Sequence, residues 1–178
     1  MNESDSMSWS IDPELLAGLR LDEAKRALTE GNLERALLEA EELLGEHPNH
    51  TEALYIVGEA ALSLRNAALA REAFTQYLAL AEPMPLALLG LAIARFELLD
   101  FSGSLESLSD ALATNPEMAE AWYTRALILE RTDQEEASVE AFAQAHALAP
   151  EHCPPPPPYP EPDWEQQLSA AHSLLPGE

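Results

Sequence analysis

Basic charge is scarce in this chain of 178 residues: 9 Lys and Arg stand against 32 Asp and Glu, a net charge of −23. Lys25 is the only lysine. Such a field repels nucleic acid and anionic membrane surfaces, so neither is an expected partner, whereas a basic partner would be steered towards it. The alternative reading is that the acid is only a solubility coat, and both readings stand. Cysteine is nearly absent as well. Cys153 alone leaves no internal disulfide and no multi-cysteine metal site. Long apolar runs are missing: MPLALLGLAIARF at 84–96 is interrupted by Arg95. It falls short of the about 20 residues that cross a bilayer, so no membrane insertion is expected. The opening, MNESDSMSWS, is polar and acidic where a secretory signal is basic and then apolar. These absences together lead to the expectation of a cytoplasmic protein.

The motifs of common chemistry are also missing. HExxH, a glycine-rich phosphate loop and GxSxG do not occur, so neither an enzyme nor a cofactor is expected. The carboxylates scatter along the sequence as solvated faces require. The histidines are His47, His50, His146, His152 and His172. His146 with the His152–Cys153 pair is the only mixed set of ligand types; turn and surface roles are expected there, and no metal. Cys153 lies beside a proline run, is expected to be exposed, and has no neighbouring base to make it catalytic.

What the chain does have is a repeat. PEMAEAWY at 116–123 echoes PNHTEALY at 48–55, and their prolines stand 68 residues apart. Prolines at 48, 83, 116 and 150 keep a stride near 34. A fixed stride of that size signals stacked supersecondary units. Each unit carries two helical patterns. In TEALYIVGEAALSLR (51–65), Ala53, Leu54, Val57, Ala60, Ala61 and Leu64 have helical spacing. ALAREAFTQYLAL (68–80) continues with Leu69, Ala70, Ala73, Phe74, Tyr77 and Leu78. AEAWYTRALILER (119–131) and EEASVEAFAQAHAL (135–148) repeat the scheme. Breaks are expected at Gly31-Asn32, Asn66, Asp100 and Asp133, and at each proline.

The spacing resembles the tetratricopeptide repeat, with its W-x2-L-G-x2-Y, A-x3-F and P signature. Unit two supplies Leu54, Val57, Gly58 and Ala61, then Ala70 and Phe74. Unit three supplies Leu88, Leu91 and Ala92, then Ser104, Leu108 and Pro116. Unit four supplies Trp122, Ala126 and Leu129, then Ser138, Phe142 and Pro150. Unit one has Ala24, Ala27, Gly31, Ala36 and Pro48, but Arg20 and Ala40 replace its two large anchors. The family tyrosine is missing throughout, its places taken by Ala27, Ala61, Arg95 and Leu129. The resemblance implies an all-α, right-handed α-solenoid of about four helix-turn-helix repeats, with a C-terminal helix after a polyproline linker. Units are expected at about 17–50, 51–84, 85–118 and 119–152, within a repeat domain at 13–150 preceded by a disordered stretch at 1–12.

In this family the first helix of each unit lines a concave groove. The resemblance places Leu21, Lys25, Tyr55, Glu59, Leu89, Ile93, Phe96, Tyr123 and Leu127 there. Leu89 and Leu127 read equally as core between units. A clamp for a C-terminal carboxylate, the family's use with heat-shock chaperones, needs several Lys, Arg and Asn residues; Lys25 alone remains, so it is not expected. The groove reads as apolar and aromatic with scattered acid, suited to an apolar or amphipathic, basic peptide or helix.

At the C-terminus, EHCPPPPPYPEP (151–162) cannot be helix and is expected to be a polyproline II linker. Pro156-Pro157-Pro158-Tyr159 also matches the PPxY pattern that WW domains read, although linker is the plainer role. Residues 163–176 then read as an amphipathic helix with an Asp163/Gln166 capping box. Trp164, Leu168 and Leu175 share one face as a candidate interaction surface. The first functional expectation is thus a non-enzymatic scaffold for protein–protein interaction. The alternatives are an acidic chaperone resembling those of type III secretion, which would hold an apolar client segment, and an accessory repeat module of a larger enzyme.

Overall fold

A computed structural model describes residues 12–156. The remainder of the linker and the expected C-terminal helix, with Trp164, Leu168 and Leu175, lie outside the described residues. Eight helices follow one another in pairs: α1 (Pro13–Thr29) with α2 (Leu33–Glu46), α3 (Thr51–Ser63) with α4 (Ala67–Leu80), α5 (Pro85–Glu97) with α6 (Phe101–Thr114), and α7 (Ala119–Arg131) with α8 (Glu135–Leu148). The expected solenoid is therefore present. Unit one starts ahead of its place: Pro13 occupies the first turn of α1, and Asp12 caps it by accepting from the Glu14 amide.

The turn inside each pair repeats with a strict stride of 34. Residues 31, 65, 99 and 133 all have left-handed backbone, with φ of 76, 62, 63 and 56°. The next amide reaches back in every case to close the helix, Asn32 to Ala27 O, Asn66 to Ala61 O, Asp100 to Arg95 O and Gln134 to Leu129 O. This is the hydrogen-bond pattern of a Schellman cap. Three of these residues also start the following helix, because the side chains of Asn32, Asn66 and Asp100 accept from the amides of Arg35, Leu69 and Gly103. Only the first turn has glycine at the left-handed position. Arg65, Leu99 and Asp133 hold that conformation against the steric cost of a Cβ.

Small residues recur where the two helices of a pair cross, at Ala24/Ala36, Gly58/Ala70, Ala92/Ser104 and Ala126/Ser138, and all are buried. In two units a hydroxyl bridges the crossing: Ser104 Oγ donates to Ala92 O at 2.6 Å and Ser138 Oγ to Ala126 O at 3.1 Å. Arg95, in a place where the family has tyrosine, spans the same gap. Its Nη1 donates to Gly103 O and Ser107 Oγ, both at 2.8 Å, so the guanidinium ties α5 to α6. In unit one, Arg20 folds over α2 to pair with Glu42 and Glu46.

Units join less evenly. Phe74 is fully buried between two helices that offer it a glycine each. A Cβ added at Gly58 or Gly90 would come within 2.7 or 2.5 Å of the ring. The ring thus sets how closely α3 and α5 approach. Between units three and four the packing is sparser, and α6 meets α7 over much less surface than α2 meets α3 or α4 meets α5. Arg125 stands at this joint. Its counterparts Val57 and Leu91 are buried in their seams, whereas Arg125 is half-buried with its guanidinium over the Trp122 ring, 5.9 Å from the centroid. A cleft of about 790 Å³ between α7 and α8 opens there, lined by Trp122, Arg125 and Glu140.

Candidate functional site

The first helices α1, α3, α5 and α7 each touch the next first helix, while among the described residues the second helices do not touch one another. Elements crowded on one side and separated on the other bend the stack, and the crowded first helices form its inner face. That is the face the sequence assigns to the groove.

Two of the expected groove residues come together in a cavity of about 570 Å³ between α1 and α3, to which Lys25 and Tyr55 contribute. Leu28 and Ile56 add aliphatic wall, and Tyr77 and Met84 complete it. Tyr55 is braced from behind. Its ring centroid lies 5.9 Å from Phe74 in an edge-to-face arrangement and 5.8 Å from Tyr77. Sixty-eight residues on, Tyr123 packs edge-to-face on Phe142 at 5.5 Å. Both tyrosines are half-buried, with fixed rings and surface to spare.

The other candidates differ in how much they show to solvent. Leu21, Ile93, Phe96 and Leu127 are partly buried. Phe96 rests on Phe101, 6.0 Å between centroids, with Arg131 5.8 Å from its ring. Leu89 is only 8% exposed and packs in the core with Leu88 and Ala92, so it offers little contact surface. Lys25 is exposed but engaged, its Nζ 2.9 Å from Glu52. Glu59 is half-buried one turn along α3 from Tyr55. Burial raises its carboxyl above the usual range, and the Tyr55 hydroxyl partly opposes this. Burial, with the Glu59 carboxylate adding to it, pushes the Tyr55 hydroxyl up to about 12.

Sequence reasoning missed Leu28, Ile56, Tyr77 and Met84. Leu28 shares the face of Lys25 and was within reach of a periodicity argument. Tyr77 comes from a second helix and Met84 from the joint between units, and neither announces itself in a groove made of first helices. One expectation is overturned: Cys153 is 6% exposed and packs with Ala119 and Ala145. Burial, followed by the Glu120 and Glu151 carboxylates, raises its thiol above the ordinary value, the opposite of activation. His146 Nδ1 lies 2.8 Å from the Cys153 carbonyl, and among the described residues no three His, Cys, Asp or Glu side chains gather to hold a metal. No helix of the described residues is long and apolar enough to cross a membrane.

Comparison with known proteins gives the same architecture. The crystal structure of MamA superposes with a TM-score of 0.71 at 20% identity, over 77% of this chain and 75% of that one. A MamA fragment (41-end) from Desulfovibrio magneticus RS-1 gives 0.69 at 27% identity, over 76% and 77%. YrrB, described as a TPR protein with an unusual peptide-binding site, gives 0.66 at 20%, over 75% and 69%. No curated protein matches the sequence. The family model of the tetratricopeptide repeat matches residues 21–85 and 89–152, most of the described array, and the chain belongs to the tetratricopeptide repeat family.

Proposed function

We propose that this protein is a non-enzymatic interaction scaffold whose inner face binds a peptide or helix of apolar and basic character. Tetratricopeptide repeats are in general protein-interaction modules, and YrrB is a relative in fold with a peptide-binding site. The observation that carries the reading is the cavity between α1 and α3, walled by Tyr55, Tyr77 and Leu28 on the inner face. Braced aromatic rings with exposed surface make binding anchors at low entropic cost. The single lysine is occupied by Glu52, which argues against an anionic ligand. The acidic net charge of −23 favours a basic one.

The test replaces Tyr55 and Tyr123 together by alanine. Peptides selected from a phage-displayed random library on the parent protein are synthesised, and affinity is measured by fluorescence anisotropy well below the melting temperature. The double variant keeps its helical circular dichroism and binds at least tenfold more weakly, as loss of about 1.4 kcal/mol implies. Unchanged affinity in a folded double variant refutes the assignment of the inner face.

A further inference from the structure

Among the described residues, Glu59 stands out from the other acids because it is half-buried on the inner face and has no counter-charge. All 9 Lys and Arg residues fall within the described part, and none of them pairs with Glu59. Arg20 goes to Glu42, Lys25 to Glu52, Arg26 to Glu23, Arg35 to Glu39, Arg65 to Glu97 and Arg95 to Asp100, while Arg71 of α4 joins no ion pair among the described residues. Arg125 and Arg131 lie over aromatic rings. The Tyr55 hydroxyl one turn back offsets the cost of burying the carboxylate only in part. A partly desolvated carboxylate without a cation is a cost that the fold carries unrelieved. An incoming ammonium or guanidinium group would relieve it.

The apolar cavity lies next to this acid. Tyr55 lines it, and Glu59 follows four residues later on the same helix face, about 6 Å along the axis. The two features therefore accept two side chains of one ligand about one helical turn apart. Resting on the groove assignment above, we infer that the ligand is a peptide segment of a partner protein that sets a Lys or Arg against Glu59 and a large aliphatic or aromatic side chain into the cavity between α1 and α3. Residues three or four apart on a ligand helix meet that separation. The two requirements make the site selective as well as adhesive. A purely apolar segment leaves the carboxylate covered and unpaired, and an acidic one adds repulsion; both are penalised.

Peptides are selected from a phage-displayed random library in parallel on the parent protein, on Glu59→Gln and on Tyr55→Ala, and chosen clones are synthesised for anisotropy measurements. Parent-selected peptides carry a Lys or Arg three or four positions from Leu, Ile, Met, Phe or Trp. Their affinity falls about tenfold or more on Glu59→Gln, the scale of a charge-assisted bond. Replacing the peptide base by Glu abolishes binding to the parent and regains it on Glu59→Lys. Peptides that need Tyr55 but bind Glu59→Gln as well as the parent overturn this inference and leave the groove standing. If no selected peptide depends on Tyr55, the groove and the inference fall together.

Discussion

Replacing Gly90 by alanine sets two effects in opposition. Alanine is favoured over glycine inside a helix by about 1 kcal/mol. At Gly90, however, the new Cβ would lie 2.5 Å from both Cε2 and Cζ of Phe74. Carbon atoms pack best near about 3.5 Å, so the ring or the helix must give by about 1 Å. The ring has nowhere to go. Phe74 is fully buried, and a Cβ placed on Gly58 would meet the same ring edge at 2.7 Å. Overpacking of this kind costs about 1–3 kcal/mol, which leaves a net loss of up to about 2 kcal/mol. For a chain of this size about 1 kcal/mol moves the melting temperature by about 2–4 °C. Thermal unfolding followed by circular dichroism should thus show Gly90→Ala melting several degrees lower. Gly18→Ala is the control, since nothing lies within 4 Å of its new Cβ; it should melt higher. Adding Phe74→Leu to Gly90→Ala should be less harmful than the two single changes summed, the coupling expected of touching residues. A Gly90→Ala protein stabilised as much as Gly18→Ala would refute the claim that this ring spaces units two and three.

Leu99 is left-handed at φ 63° and 64% exposed, so Leu99→Gly should relieve the Cβ strain and raise stability by about 0.5–1 kcal/mol net of glycine's entropy, read as a higher urea midpoint. Arg125→Leu should let the seam between units three and four close as it does around Leu91; burial outweighs the lost contact with Trp122 by about 1 kcal/mol, and a clearly less stable variant would make Arg125 an anchor instead of a wedge. Glu59 carries a raised carboxyl, so the folded state keeps a proton that the unfolded state has already lost. Its charge therefore subtracts stability as pH rises from the ordinary carboxylate range through the raised value. Glu59→Gln should be slightly more stable than the parent at neutral pH, by under about 0.5 kcal/mol because water still reaches the site, with the gap closing in acid.

Features written once per unit were legible in the sequence. The stride of prolines and the breaks at Asn32, Asn66, Asp100 and Asp133 each repeat, and repetition lifts them above the noise of a single site. The tyrosines 68 residues apart stood out for the same reason, and each packs on a phenylalanine of its own unit. What the sequence concealed is where one unit departs from its neighbours. Only Gly31 advertises a left-handed turn that Arg65, Leu99 and Asp133 also adopt, because the cap hydrogen bonds and the packed helices impose it. Arg95 looks like an intrusion in an apolar run, and its role appears only once α6 presents Gly103 O and Ser107 Oγ to it. Cys153 looked exposed because prolines follow it, but α7 and α8 close over it at Ala119 and Ala145. The cavity needed Tyr77 and Met84 from outside the first helices, a tertiary coincidence that no periodicity encodes.

The joints of the stack give it an uneven mechanical character. A ring wedged between two glycines would make units two and three respond to load as a single stiff beam, with the aromatic cavity mounted at one end. The seam at Arg125 packs more sparsely, so bending of the stack would be taken up first by rotation of the last hairpin, leaving the mounting undistorted. A guest gripped near Tyr55 would therefore meet a ready-shaped template. One reaching Tyr123 would meet a jaw whose angle adapts to the guest's girth.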